Sequence, residues 1–125
     1  MIEYRYRLDM VAGGRPLHLN LNQHDRNYTL TLTLFAERGE LTIETGTTVK
    51  LQGTRPDGES YTISATLGEN TDGEHVVTVQ GDTAMTAAAG TGEFQLCFTH
   101  GGKDLFSPVF FIDFETTPKK EGEAA

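Results

Sequence analysis

The sequence has no tryptophan, a single cysteine and only four prolines. With Cys97 alone, an internal disulfide is excluded, and a hydrophobic core must hold the fold. No apolar run approaches the roughly 18 residues of a transmembrane helix, so membrane insertion is not expected. The opening segment Met1-Ile2-Glu3-Tyr4-Arg5-Tyr6 lacks the apolar stretch of a secretory signal, and synthesis in the cytoplasm is expected. Basic residues are also scarce. Ten Lys and Arg stand against eighteen Asp and Glu, a net charge of −8. Such a surface repels phosphate, which argues against nucleic acid and against anionic membranes. Arg5, Arg7, Lys119 and Lys120 are too few for a basic patch. The charge favours solubility, or a basic protein partner.

What is present points to β structure. The chain holds eighteen Thr and fourteen Gly among 125 residues. Thr is β-branched and suits a half-exposed pleated surface, and Gly suits tight turns. Hydrophobic residues make up 37 %, enough for one core in a chain of about one domain. One domain is expected over residues 1–115, followed by a polar tail over 116–125.

Alternation gives the strands. Residues 4–10 alternate aromatic or apolar with charged side chains, and Gly13-Gly14 breaks the pattern. Leu17, Leu19 and Leu21 mark a second strand, followed by a polar turn over 22–27. Leu30, Leu32 and Leu34 alternate with Thr29, Thr31 and Thr33, the cleanest strand of all. Val49 and Leu51 run into Gly53 and the turn Pro56-Asp57-Gly58. Tyr61, Ile63 and Ala65, then Val77 and Val79, then Phe94, Leu96 and Phe98 mark further strands. The last runs over about 105–115. One or two helical turns are expected over 82–89, with Asp82 as cap and Gly90 as stop. About eight strands at short spacing predict an antiparallel, Ig-like β-sandwich.

The last hairpin carries a register argument. A three-residue loop, Gly101-Gly102-Lys103, sets Phe98 opposite Phe106, Leu96 opposite Pro108 and Phe94 opposite Phe110. A two-residue loop sets Phe94 opposite Val109 and misplaces Phe110, Ile112 and Phe114, so the longer loop is expected. Val109 and Phe111 then point away from the core. With Gln95 and Cys97 beside them on the partner strand, they are the candidate protein interface.

No residue pattern carries catalysis. His18, His24, His75 and His100 have no metal-ligand spacing. Asp25, Glu37, Glu40, Glu44, Asp57, Asp72 and Asp82 lie mostly in turns, where Asp bonds its own backbone. Glu69-Asn70-Thr71-Asp72-Gly73-Glu74 lacks the regular spacing of a calcium loop. Cys97 has no flanking charge to activate its thiol. No metal, cofactor or catalytic residue is expected.

Three segments, in order, carry a resemblance. They are Gln23-His24-Asp25-Arg26-Asn27 with the strand over 28–34; the strand through Val49 and Leu51 into Gly53-Thr54-Arg55-Pro56-Asp57-Gly58; and Ala88-Ala89-Gly90-Thr91-Gly92-Glu93-Phe94, continuing through Gly101-Gly102-Lys103 to Phe110-Phe111-Ile112-Asp113-Phe114. Over residues 17–115 the chain resembles the N-terminal domain of phage baseplate upper proteins, from phages and prophages of Gram-positive bacteria. The resemblance implies a β-sandwich that docks to other tail or baseplate proteins, in a homo-oligomer compatible with a trimer, within the virion. It brings no catalytic residues. Family members hold receptor-binding proteins through later segments; only about ten residues follow the sandwich here, so a docking or adaptor role is expected. The rival expectation is an extracellular carbohydrate-binding β-sandwich, although such modules usually present aromatic platforms.

Overall fold

Side chains alternate across a strand, so each apolar row commits one face to the interior. The computed structural model describes residues 2–11, 16–23, 28–37 and 41–115. Among them are nine strands: β1 (Ile2–Asp9), β2 (His18–Asn22), β3 (Tyr28–Phe35), β4 (Thr48–Thr54), β5 (Ser60–Glu69), β6 (His75–Gln80), β7 (Gly90–His100), β8 (Lys103–Phe106) and β9 (Phe110–Glu115). Their order is β1-β3-β6-β5-β4-β7-β9-β2, with β8 alongside β7. Gly13-Gly14, His24, Asp25, Glu40, most of the turn over 22–27 and the tail over 116–125 lie outside the described residues.

The protein is all-β, but its sheet is mixed. β1 pairs with β3 and β2 pairs with β9 in parallel; the remaining pairs are antiparallel. The ten-residue β5 pairs with β4 through residues 60–65 and with β6 through 66–69, so one strand serves both halves. The edges β1 and β2 then meet through Tyr6 and Asn20. A nearly closed, barrel-like mixed sheet thus replaces the expected antiparallel sandwich. Alternation reveals which face of a strand is apolar. It says nothing about which neighbour the strand joins, or in which direction.

The interior is the one the leucine and phenylalanine rows predict. Leu30, Leu32 and Leu34 are buried, and so are Phe94, Leu96, Phe98, Phe110, Ile112 and Phe114. Val77 and Val79 stand opposite Leu32 and Leu30, and Tyr6 and Tyr4 flank the same leucines from β1. Gly53 lets β4 and β7 approach closely: an added Cβ would lie 2.1 Å from the Glu93 carbonyl oxygen and 2.8 Å from the Phe94 ring.

The last hairpin departs from expectation at its turn and agrees at its far end. Gly101 and Gly102 both have positive φ, +58° and +79°, and form a two-residue turn with His100 opposite Lys103. This is the turn whose right-handed twist suits a hairpin. Cys97 therefore faces Phe106, and Phe98 faces Leu105. Farther along, Phe94 does face Phe110. The registers differ by one residue, which a bulge over residues 107–109 absorbs. Buried Ser107 stitches it: its Oγ accepts the Leu96 N–H at 2.9 Å and donates to the Pro108 carbonyl at 2.9 Å. The single last strand expected from the sequence is thereby split into β8 and β9.

The helical turns expected over 82–89 are absent; residues 83–88 form turns and bends. Asp82 does begin a cap, its Oδ1 accepting the Met85 N–H at 3.0 Å. Two carbonyls of the segment bond to side chains from outside it. Arg55 Nη1 donates to the Ala84 carbonyl at 2.9 Å, and Gln23 Nε2 to that of Ala87 at 3.2 Å. Met85 and Thr86 turn inward and are fully buried.

Candidate protein interface

Residues directly opposite in adjacent strands share a face. On the outward face of β4, β7, β8, β9 and β2 this produces rows that run across the strands. One contains Lys50, Cys97 and Phe106; the next contains Gln52 and Gln95; the third contains Thr54, Glu93, Phe111 and His18. Of the residues chosen from sequence, Cys97, Gln95 and Phe111 fall within these rows, and Val109 lies in the bulge between β8 and β9. Val109 is 45 % exposed and lines a groove of about 340 Å³ with Gln52, Thr62, Glu93 and Gln95. Phe111 is half-buried, its ring stacked on that of His18 with centroids 5.1 Å apart. Gln95 is half-buried and donates to the Ser107 carbonyl at 3.1 Å. Cys97 is buried although it belongs to the outward face, with Lys50 and Phe106 as its cross-strand neighbours.

Sequence reasoning missed Phe106. The three-residue loop places it in the core opposite Phe98; the two-residue turn places it outward, 47 % exposed. Its position could have been found from the Gly101-Gly102 doublet, a strong signal for a two-residue turn. Phe106, Val109 and Phe111 follow one another along β8, the bulge and β9 on this face, Phe106 and Phe111 in rows separated by that of Gln52 and Gln95.

The titratable groups elsewhere are spent on local structure. Asn70 Oδ1 accepts the Asp72 and Glu74 N–H groups, each at 3.0 Å, closing the loop once considered for calcium. Arg7 donates to Glu74 at 2.9 Å, and this bond, with one from Asn70, holds the Glu74 carboxyl below its usual range. Asp57 is lowered likewise by its bonds from Arg55. His18 and Asp113 lie 3.7 Å apart, and His100 and Glu44 2.9 Å apart. Among the described residues no three His, Cys, Asp or Glu side chains converge as a metal-binding group. No helix among them is long and apolar enough to cross a membrane.

No family model and no curated protein matches the sequence. The fold does have a counterpart among solved structures. It is similar to the N-terminal domain of phage TP901-1 ORF48, with a TM-score of 0.64 and 12 % identity, covering 92 % of this chain and 99 % of that one. At this identity the likeness is one of fold.

Proposed function

We propose that this protein is a structural component of a phage or prophage tail, a baseplate docking or adaptor module in the virion that acts through protein contacts rather than chemistry. The observation that carries this reading is the match in fold to a phage protein domain over 99 % of that domain's length. A partial match could arise from a shared hairpin or meander; this one extends over 92 % of this chain and 99 % of that one. The three ordered segments that resemble baseplate upper proteins support the same assignment. The contact surface in this proposal is the outward face with Val109, Phe111 and Gln95, to which Phe106 is added; Cys97 belongs to the same face but is buried. The face's exposed apolar side chains gain little from water and would be buried in an assembly.

The test is made on particles induced from a strain that carries the gene. The protein should be found in purified tails by mass spectrometry. Phe111→Glu should leave the chain folded but remove it from the particles, because an unpaired charge would enter a dry interface. Absence of the wild-type protein from purified tails would overturn the reading, and binding to a glycan array would favour the carbohydrate-binding alternative.

A further inference from the structure

We propose that Asp72 is a site of spontaneous isomerisation to isoaspartate, a modification from which Asp57 is shielded. The sequence holds two Asp-Gly pairs, Asp57-Gly58 and Asp72-Gly73, and no Asn-Gly. Glycine has no Cβ to crowd its amide nitrogen, so an Asp-Gly peptide leaves the aspartate carboxyl most open to attack by the backbone. The Gly73 nitrogen adds to Asp72 Cγ, the carboxyl hydroxyl leaves as water, and a five-membered succinimide forms. Water then opens the ring. Opening at the α carbonyl leaves the main chain running through Cγ, with the former α carboxyl as the free group. The water lost is regained, and no other reactant is consumed.

The two loops are near copies, which isolates the cause. Arg55-Pro56-Asp57-Gly58-Glu59 joins β4 to β5, and Asn70-Thr71-Asp72-Gly73-Glu74 joins β5 to β6. Each closes with the same backbone bonds. The Arg55 and Gly58 N–H groups donate to the Glu59 and Arg55 carbonyls, both at 2.9 Å; the Asn70 and Gly73 N–H groups donate to the Glu74 and Asn70 carbonyls at 3.0 and 3.1 Å. The two glycines share a positive φ, +88° and +78°. Asp-Gly-Glu is common to both loops, so the difference lies in the first two residues. Arg55 donates from Nε to Asp57 Oδ1 at 3.1 Å and from Nη2 to Oδ2, and the Glu59 N–H donates to Oδ1 at 3.2 Å. Turning Asp57 Cγ toward the Gly58 nitrogen would break this fork. The Arg55 bonds, followed by the Glu59 N–H, also hold the carboxyl below its usual range, so the protonated form that can release water is scarcer. In the second loop Asn70 Oδ1 accepts the corresponding Glu74 N–H and that of Asp72 itself. Asp72 is exposed, and among the described residues nothing bonds its carboxylate. Isomerisation adds a methylene to the main chain between the two N–H groups that Asn70 holds, and so loosens Glu74, the partner of Arg7 on β1.

Prolonged incubation of the purified full-length protein tests this, with isoaspartate located by peptide mapping and electron-transfer fragmentation, which separates the isomers despite their equal mass. Residue 72 should accumulate isoaspartate severalfold faster than residue 57. The reaction at 72 should quicken from about pH 8 to about pH 5, because the carboxyl must be protonated to lose water. In chain unfolded by guanidinium the two sites should react at similar rates, since the fold alone distinguishes them. Arg55→Asn, checked for native circular dichroism, should bring residue 57 toward the rate of residue 72. Asp72→Glu, which would need a six-membered ring, should abolish the product in its own peptide. Equal accumulation at both sites in the folded wild type, or an inert residue 72 where the unfolded chain reacts, overturns the proposal. A residue 57 that stays inert in Arg55→Asn overturns the shielding.

Discussion

The Tyr6 hydroxyl donates to the Asn20 carbonyl at 3.3 Å and accepts the Asn20 N–H at 3.1 Å, tying β1 to β2. These are the two edges of the sheet. An open edge strand presents unpaired backbone groups to any other chain, and here one phenol engages two of them. Tyr6→Phe keeps the ring in place and removes both bonds. It should cost about 1–2 kcal/mol, since each hydrogen bond contributes on the order of 1 kcal/mol net. Urea denaturation gives the loss, and hydrogen exchange at the Asn20 amide should accelerate in the variant. Unchanged exchange there would show that the edges do not depend on Tyr6.

Ser107 supports the bulge that sets the face. Its Oγ is the acceptor for the Leu96 N–H, inside the core region of β7. Ser107→Ala leaves that buried donor without its partner and should destabilise the protein by about 1–3 kcal/mol. The denaturation midpoint and the exchange rate of the Leu96 amide report it together. A neutral variant would mean that the bulge is held by its backbone alone.

The rows Leu30, Leu32, Leu34 and Phe94, Leu96, Phe98 were legible because burial on one face imposes a period of two. The outward direction of Val109 and Phe111 follows from the same period. Several features leave no such trace. That β2 joins β9 in parallel is a long-range choice, and with it comes the stacking of His18 on Phe111. The bulge adds one residue, which shifts Phe106 outward while Phe94 keeps its partner Phe110. The helix signal over 82–89 was real in its residues, Asp82 and four alanines, but Arg55 competes for the Ala84 carbonyl, which a helix would offer to the Ala88 N–H. Tertiary partners outweigh local propensity when they satisfy the same groups.

Leu32 tests the interior directly. It is fully buried, with Tyr6 on one side and Val77 on the other. Leu32→Ala removes three heavy atoms from a packed site and should cost about 2–5 kcal/mol by chemical denaturation. A loss below about 0.5 kcal/mol would show that β3 presents its other face to the core.

Alkaline stability should report on Tyr61. Its hydroxyl donates to Asp82 Oδ1 at 2.8 Å, and burial, followed by this bond, raises its pKa well above the ordinary tyrosine range. The native state therefore keeps a proton that the unfolded chain gives up at about pH 10. The stabilising contribution is complete below that pH and declines as pH rises beyond it, because the unfolded chain ionises first. Urea unfolding followed from pH 8 to about pH 11.5 should show falling stability in the wild type. Tyr61→Phe has no proton to lose at this position. At pH 8 it should be less stable by about 1–3 kcal/mol, since the bond from the Tyr61 hydroxyl to the Asp82 carboxylate is lost. Its decline with pH should be shallower. Tyr4, Tyr6 and Tyr28 remain in both proteins, so the difference between the two curves isolates Tyr61. Parallel curves would show that the Tyr61 proton is held no more tightly in the folded chain than in the unfolded one.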